Sequence, residues 1–461
     1  MSVEPGGVSP VHPLARELAA QAPSGWQRAE AAFAITVAGE IGHVVYTNGD
    51  DVVSVTPTEA IIDVAREMRR AAAGSVEGPW WRMLVVLASS GELEIDYDYG
   101  DEPFPTGQLF EPQVYRADLD VYPRATLPVW LAAYLGHDDR QLRSPQAAAE
   151  QARADRAEQT WAVLAENEFP PFPVMWGRWA TIAAAFVAVR SQWGPRMLPW
   201  LGVFESATRS GSMVYALPAG RAVLSGGVWN APSLDATYNH GAPMPKLYAG
   251  APDWVTDAVL DPRAASGLLS FCYWWEAGHW YRGQSPTAQD CAPAVPGVWT
   301  ADTTIGIVAR LAGIDDAAES IAALLTDAAA GVVTRAAITA VFGDDDRFDI
   351  DGALNQYALA GLVSTTPQQM PEPEAISRVR DYLSGRGLDS EDYPASQLVA
   401  KRFDVGWMVY VPVPAGEMAI GRAIFYIGDD GVLEPSSSSI APPVYTAEFT
   451  QRFAARHRSI G

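Results

Sequence analysis

A chain of 461 residues is too long for one ordinary hydrophobic core, since domains cluster near about 100 to 200 residues, and its length predicts about three domains. With 55 acidic against 32 basic residues, the formal net charge is -23 at pH 7. Such a charge repels phosphate backbones and anionic lipids and attracts basic protein surfaces, which argues against nucleic acid and membrane as partners.

The N-terminal segment, Met1–Pro13, holds glycines and prolines where a secretory signal would place a basic segment and an apolar core. The longest uncharged apolar run lies between Arg178 and Arg190, well short of the roughly 20 residues that span a bilayer. We therefore expect a cytoplasmic protein. Its two cysteines, Cys272 and Cys291, could pair as a disulfide, but reduced thiols fit that location better.

Residues 25–135 alternate strand-like and helix-like segments, which predicts one α+β unit. Ala31–Val37 and His43–Val55 carry clusters or alternations of β-branched residues that favour strands. The pair Asn48-Gly49 lies inside the second stretch, and Asn-Gly is typical of a two-residue hairpin turn. We expect a hairpin at this position.

A helix and a second hairpin are predicted to follow. Thr56-Pro57-Thr58-Glu59 supplies an N-cap, a proline at the first helical position and a capping-box glutamate, so a helix is expected to run from there to about Ala73. Trp80–Leu87 and Glu92–Tyr99 then predict two strands around the turn Ser89-Ser90-Gly91, with one apolar face.

The second strand of this hairpin begins the densest acidic cluster in the chain. Alternate residues of a strand project to one face, so several carboxylates are expected to share a surface. One interpretation is a solvated face with the aromatic residues turned inward; the other is a protein-binding patch, since Tyr97 and Tyr99 suit an interface. A metal site would need a histidine or a buried partner, and the sequence places none nearby. The cluster consists of Glu92, Glu94, Asp96, Asp98, Asp101 and Glu102.

The stretch from Trp80-Trp81 through an apolar strand and a glycine turn to Asp96-Tyr97-Asp98-Tyr99 resembles the YezG-like family. The resemblance covers residues 25–135, and Tyr115, Asp118 and Trp130 lie where such proteins continue with acidic and aromatic residues. It implies a small α+β immunity domain that binds and neutralises a toxin, including toxins that degrade NAD, and it transfers no catalytic residue. The expected partner-binding residues are Glu94, Asp96, Tyr97, Asp98, Tyr99, Asp101, Glu102, Tyr115, Asp118 and Asp120.

The middle of the chain predicts a linker helix and a second sheet. Ser144-Pro145 opens an Ala/Glu/Arg-rich helix expected to reach about Glu166, and a proline-rich stretch breaks it. Trp179–Val189 predicts an apolar helix. Four aromatic-rich stretches are strand candidates: Val203–Thr208, Met213–Leu217, Ala222–Trp229 and Leu268–Tyr281.

The last of these candidates, with Cys272 and His279, should turn at Ala277-Gly278. A thiol and an imidazole across such a hairpin could act as nucleophile and base, but a free cysteine is commonly a buried hydrophobe. We keep Cys272 and His279 only as a minor catalytic hypothesis.

From Asp302 to about Ser384 the pattern becomes helical, with breakpoints at Gly313, Gly331, Gly343 and Pro367. The stretch Asp344–Gly352 invites a calcium hypothesis, but Phe348 and Asp349 do not fit the ligand spacing of an EF-hand loop. A solvated loop that caps a helix from about Gly352 to Leu362 is the better interpretation.

The C-terminal stretch returns to strands. Phe403–Val413, Ala419–Gly428 and Val432–Glu434 predict a β-meander, closed by a helix from Thr446 to Arg458. Asp404–Tyr410 and Gly428–Val432 are similar to small β-rich immunity domains of the YrhB type, which implies the same kind of role.

Together these patterns predict a multidomain α+β protein with antiparallel sheets, flanking helices, and a helical segment between the second and third sheet-containing units. The expected segments are 1–137, 138–168, 169–300, 301–390 and 391–461. The sequence holds no phosphate loop, nucleophile elbow, HExxH or CxxC motif, so we expect no cofactor, no metal and no enzyme.

Three functions compete. The first is an immunity protein that masks the active site of a basic toxin; the second is a cytosolic chaperone that holds a secreted protein through apolar contacts; the third is an enzyme that uses Cys272 and His279. The sequence leaves the toxin's identity and the oligomeric state open.

Overall fold

The computed structural model describes residues 12–75, 77–257, 259–314, 316–343, 346–363, 369–388, 390, 393–413 and 422–456. The following predicted features lie outside these residues: most of Met1–Pro13, the first two aspartates of Asp344–Gly352, the breakpoint at Pro367, the start of the strand from Ala419 and the end of the C-terminal helix. The described residues form α-helices and three antiparallel sheets, which confirms the predicted α+β class.

The strands are β1 (Arg28–Ile35), β2 (Glu40–Asn48), β3 (Asp51–Val55), β4 (Arg82–Ala88), β5 (Leu93–Asp98), β6 (Val163–Leu164), β7 (Arg196–Leu198), β8 (Leu201–Glu205), β9 (Gly211–Leu217), β10 (Arg221–Gly227), β11 (Phe271–Glu276), β12 (His279–Arg282), β13 (Val399–Phe403), β14 (Gly406–Tyr410), β15 (Ala423–Gly428) and β16 (Leu433–Ser437).

The helices are α1 (Pro13–Gln21), α2 (Glu59–Ala72), α3 (Pro112–Val121), α4 (Val129–Gly136), α5 (Pro145–Ala157), α6 (Phe172–Ala188), α7 (Pro232–His240), α8 (Ala301–Ala312), α9 (Ala318–Ala330), α10 (Arg335–Phe342), α11 (Ile350–Leu359), α12 (Glu372–Gly385) and α13 (Pro442–Arg456).

The chain divides into two compact units, each built from two stretches of sequence. The first unit comprises Met1–Phe172 and Leu201–Gly297, and the second comprises Pro173–Trp200 and Val298–Gly461. Neither unit coincides with one of the five segments expected from the sequence, because each is assembled from stretches that are distant along the chain.

The first sheet of the first unit has the strand order β3-β2-β1-β4-β5. Asn48 pairs with Asp51, so the predicted hairpin is present, but its two-residue turn is Gly49-Asp50 and not Asn48-Gly49. Gly49 has a φ of 60°, a left-handed value that favours glycine. The apolar face of the sheet packs against α1 and α2 around fully buried residues such as Phe33, Val44 and Ile61.

The second sheet of the first unit runs β6-β12-β11-β10-β9-β8. Glu276 pairs with His279, so the hairpin turns at Ala277-Gly278, as predicted. The interior of this sheet is rich in aromatic residues: Tyr273 and Trp274 are each at most 1% exposed. Burial of such large side chains supplies much of the driving force for this part of the unit.

The prediction that the linker helix runs to about Glu166 is wrong, because α5 ends at Ala157. Gln159 has a φ of 57°, a left-handed backbone conformation that stops a helix, and the amide of Thr160 donates to the carbonyl of Asp155 at 2.7 Å. The chain then extends into β6, where Leu164 pairs with Tyr281.

Gly313, Gly331 and Gly343 each follow a helix of the second unit, as predicted. Other bounds differ: α6 begins at Phe172 and not at Trp179, α11 spans Ile350–Leu359, and α13 begins at Pro442 and not at Thr446. The side chains of Thr300, Thr334 and Asp349 accept hydrogen bonds from backbone amides at the first turns of α8, α10 and α11. Gly313 and Gly331 follow α8 and α9 with φ values of 65° and 69°, which only glycine adopts without strain.

The third sheet, in the second unit, has the order β13-β14-β15-β16 and is the predicted meander. The single strand expected over Phe403–Val413 is instead a hairpin, because Phe403 pairs with Gly406 across the turn Asp404-Val405. Helix α12 packs on one face of the sheet through Val379 and Leu383, and α13 covers Tyr426 on the other through Phe449.

An ion pair fixes one end of this sheet. Asp429 lies directly after β15 and accepts hydrogen bonds from both terminal nitrogens of Arg402 at 2.7 Å and from the amide of Met370 at 2.8 Å. Its side chain is 7% exposed. Burial opposes ionisation, but the hydrogen bonds from Arg402 and Met370 outweigh it, so the pKa of Asp429 is lowered.

Within the residues that the structure describes, no helix combines the length and the apolar character needed to cross a membrane.

Substitution Asp429→Asn should destabilise the second unit by about 1.5 to 3 kcal/mol at pH 7, because it removes charge-assisted hydrogen bonds. Since the folded-state pKa is depressed, this contribution is present above the unfolded pKa of about 3.9 and is lost as the pH falls through the folded value. Urea unfolding at pH 7 and below pH 4 measures the difference. The exposed Asp381→Asn variant is the control; equal effects of the two substitutions at pH 7 would contradict the prediction.

Candidate functional site

The acidic cluster lies on β5, the outermost strand of the first sheet, which pairs only with β4 among the described residues. Leu93 is buried and Ile95 half-buried against the core, whereas Glu94 and Asp96 are exposed on the opposite face. Neither of these two carboxylates forms an ion pair with a residue in the described part of the chain. The predicted alternation along the strand is therefore present.

Two other carboxylates of the cluster are neutralised within the unit. Asp98 accepts hydrogen bonds from Arg82 at 2.5 Å and from the amide of Gly100 at 2.8 Å, which fixes the bend at the end of β5. Glu102 forms an ion pair with Arg209. The exposed carboxylates at this edge without such an intramolecular partner among the described residues therefore include Glu94, Asp96 and Asp101.

The two tyrosines of the cluster have different environments. Tyr97 is 41% exposed and stacks on Trp80 with ring centroids 6.0 Å apart. Tyr99 is half-buried, and burial raises its pKa, with the carboxylate of Glu77 acting in the same direction and the guanidinium of Arg124 opposing it. Tyr97 shares the face of β5 that carries Leu93 and Ile95, so its partly exposed ring lies on the face opposite to Glu94 and Asp96.

The structure removes Asp118 from the predicted contact surface. Asp118 is fully buried on α3 and accepts hydrogen bonds from Arg69 at 2.7 and 2.8 Å, from the indole of Trp81 at 3.1 Å and from the amide of Val37 at 2.9 Å. Arg69 is itself only 4% exposed. The residue is a buried connection between α3, α2 and the sheet.

Tyr115 is also inside the unit, at 1% exposure, and its ring lies 6.0 Å from both Trp81 and Phe104. Residues three apart share one face of a helix, so Tyr115 and Asp118 point inward together while Asp120 faces solvent. Of the residues expected on α3, only Asp120 can touch a partner without a rearrangement.

A cavity of about 950 Å³ opens near the end of β5, at the Arg124 side chain that lies over the ring of Trp81. Its lining includes the end of α2 with Ala73 and Ser75, residues 77–79, Tyr99 and Asp101, and residues 121–128. Arg124 forms part of the wall. Sequence reasoning did not predict this cavity, because its lining comes from four separate stretches of chain.

Arg124 is an unusual side chain in this wall. Its guanidinium carbon lies 3.6 Å from the ring centroid of Trp81, and it donates to the carbonyl of Pro79. Burial lowers the pKa of Arg124 to about 10, although Asp118 acts to raise it. Its Nε is buried and makes no hydrogen bond.

The structure does not bring Cys272 and His279 together. Cys272 is fully buried within β11, whereas His279 is exposed at the start of β12 and pairs with Glu276, four residues along the strand from Cys272 and about 13 Å away. Burial raises the pKa of the Cys272 thiol, with Asp261 adding to the effect. A buried thiol that resists ionisation is a poor nucleophile.

A second buried carboxyl, Asp261, lies near Cys272 and was not predicted. It is 1% exposed, and it accepts a hydrogen bond from the hydroxyl of Tyr248 at 2.9 Å through Oδ2, while Oδ1 has no partner. Burial raises the pKa of Asp261 to about 7 against the lowering effect of the Tyr248 hydroxyl. The contributing residues lie in separate loops and strands, so no sequence pattern announces them.

Both cysteines are free and buried. In the described ranges, no group of three or more His, Cys, Asp or Glu side chains is placed to hold a metal ion.

The chain matches no protein-family model and no curated protein sequence.

Substitution Asp118→Ala should destabilise the first unit by about 3 to 5 kcal/mol, because it leaves the buried guanidinium of Arg69 without its anion. Asp120→Ala, two residues further along the same helix, is the matched control and should change the stability by no more than about 0.5 kcal/mol. Denaturant unfolding followed by near-ultraviolet circular dichroism measures both. Similar losses for the two variants would show that the ion pair is not a major source of stability.

Asp261 predicts a pH dependence of opposite sign to that of Asp429. Between the unfolded pKa of about 3.9 and the folded pKa of about 7, the folded state holds a proton that the unfolded state has lost, so stability falls as the pH rises through this window. The Asp261→Asn variant has no carboxyl group at this position, so its stability does not fall in this way as the pH rises. The stability of the variant relative to the parent should therefore rise by about 4 kcal/mol between pH 4 and pH 8.

Urea titrations of both proteins across this pH range test the prediction, with Asp120→Asn as the control for a solvated carboxylate. A stability difference that does not change with pH would mean that Asp261 is ionised in the folded protein at pH 5 to 6.

Proposed function

We propose that the chain binds a basic protein partner through the β5 edge of its first sheet, and that it is an immunity protein that neutralises a toxin by covering the toxin's active site. The observation that carries the proposal is the pair of exposed carboxylates, Glu94 and Asp96, on an outermost strand whose opposite face carries the exposed ring of Tyr97. Carboxylates without an intramolecular partner are free to pair with cations of another protein.

The geometry of β5 supports a docking role in two ways. An outermost strand presents backbone amides and carbonyls that another chain can pair with, and this mode of recognition adds a strand to the sheet. Exposed Tyr97 supplies a rigid ring of the kind that is enriched at interfaces. The net charge of -23 would attract a basic partner over a distance and accelerate association at low salt.

The resemblance of Trp80–Tyr99 to YezG-like immunity domains supplies the more specific part of the proposal. It makes a toxin the expected partner, with toxins that degrade NAD among the candidates. We propose that the encounter takes place in the cytoplasm. The docking surface we propose differs from the one expected from sequence, since it omits the buried residues Tyr115 and Asp118.

The rival functions make different predictions. A thiol enzyme receives no support from Cys272, which is buried and far from His279. A chaperone for a secreted protein would hold its client through apolar contacts, and its binding would depend little on salt. Salt dependence therefore separates a chaperone from the function proposed here.

Substitution Glu94→Lys with Asp96→Lys should abolish capture of the partner from the native cytosol, because it places two cations where the partner's basic groups dock. The tagged parent and the variant are compared at about 50 and 500 mM salt, near and well beyond the ionic strength at which surface charges are screened, with mass spectrometry of the eluate. The parent should recover one basic protein at low salt and release it at high salt. The amount of this protein recovered with the variant should be at least about tenfold lower.

The control variant carries Glu67→Lys and Asp381→Lys, which are exposed residues on α2 and α12 and produce the same change in net charge. It should retain the partner. Loss of the partner with both variants would indicate a nonspecific effect of net charge, and retention with both would refute docking at β5.

A further inference from the structure

We infer that the cavity at the Arg124 side chain is an anchor site for the side chain of an arginine or lysine on the docked partner. The inference rests on the proposed function, because it takes the cation to belong to a protein bound at β5. The cavity adjoins that surface: Tyr99 and Asp101, which follow β5 directly, form part of its wall. A side chain reaching past the strand end would enter it.

The volume of the cavity is sufficient for a long side chain. At about 950 Å³ it lies near the upper end of the range of small-molecule sites, and it is open to solvent. A lysine or arginine has an apolar stem and a charged head. The wall offers Val121, Pro123 and Leu127 for the stem and polar groups for the head.

The polar groups of the wall favour a cation. The carboxylates of Glu77 and Asp101 line the cavity, and neither forms an ion pair with any residue that the structure describes. Tyr99 also lines the cavity, so an aromatic ring as well as two carboxylates is available to a guanidinium or ammonium there.

The ends of two helices act in the same direction. Ala73 and Ser75 follow α2, and Val121 is the last residue of α3; all three line the cavity. The C-terminal end of a helix carries a partial negative charge from its unpaired carbonyl groups. Two such ends at one cavity lower the electrostatic potential inside it and stabilise a positive group.

Arg124 and the start of α4 oppose a cation, but their effect is limited. The guanidinium of Arg124 is held over the ring of Trp81, bonded to the carbonyl of Pro79 and attracted by buried Asp118. These contacts compensate part of its charge, although its Nε makes no hydrogen bond with the described residues. Residues 127 and 128 precede α4, whose eight residues give it a weaker dipole than the longer α2.

The cavity can be tested without the partner by using small probes. N-acetyl-arginine amide carries the cation, and N-acetyl-citrulline amide has nearly the same shape without the charge. Saturation-transfer NMR with the full chain should give a dissociation constant on the order of 1 mM for the arginine probe, as expected for a ligand of this size. The citrulline probe should bind at least about tenfold more weakly, since it cannot pair with the carboxylates.

Paired variants locate the binding. Glu77→Gln with Asp101→Asn should weaken binding of the arginine probe at least about fivefold, whereas Glu67→Gln with Asp381→Asn, which changes the net charge equally but lies outside the cavity, should leave it unchanged. Equal losses with both pairs would mean that only the net charge of the chain is sensed, and would overturn the assignment. So would absence of binding, or equal affinity for the two probes.

A third probe, norleucine, is a zwitterion with a neutral side chain. If it binds more tightly than the arginine amide, the cavity recognises a free amino acid through Arg124 and the carboxylates together, and the anchor assignment fails. The capture experiment with Glu94→Lys and Asp96→Lys is independent of these measurements. If the variant loses the partner but the arginine probe does not bind, docking at β5 is supported and the anchor site is refuted. If the probe binds but the variant keeps the partner, the cavity binds a cation but docking at β5 is refuted.

Discussion

The first unit depends on the buried ion pair between Asp118 and Arg69. The carboxylate of Asp118 is fully buried on α3 and receives N–H groups from α2, from the start of β4 and from the loop after β1. All of these elements are therefore joined through one carboxylate that is shielded from water. Because a buried charge without its partner is costly, the arrangement tolerates little displacement of α3 relative to the sheet.

Two features of the candidate site follow from this constraint. With Asp118 and Tyr115 turned inward, α3 directs Asp120 toward solvent and ends beside the strand end of β5. Trp81, held by its hydrogen bond to Asp118, gives Arg124 an aromatic face to lie against, and Arg124 lines the cavity. One wall of the cavity thus depends on the same buried residue.

The two buried carboxyls of the first unit show how environment decides the role of an aspartate. Asp118 has a guanidinium and two further N–H donors, whereas Asp261 has one hydroxyl from Tyr248 and an oxygen without a partner. Charge compensation is therefore available to the first and absent for the second, whose pKa burial raises to about 7. Neither residue differs from an exposed aspartate in its immediate sequence in a way that would predict this.

The sequence by itself determined the elements whose signals are local. The hairpin that joins Asn48 to Asp51 and the glycines after α8 and α9 depend on backbone conformation within a few residues, so the sequence located them. The capping sequence before α2 was located less well, because the helix begins at Glu59 and the side chain of its N-cap, Thr58, makes no cap hydrogen bond. The alternation along β5 likewise follows from the two-residue period of a strand. Only the tertiary structure decided which polar residues are buried: Asp118 and Tyr115 lie inside because of partners on distant segments, and the cavity and the Asp261 cluster join residues from several loops. Burial is a property of the packed chain, and a single sequence specifies local propensities much more directly than it specifies long-range contacts.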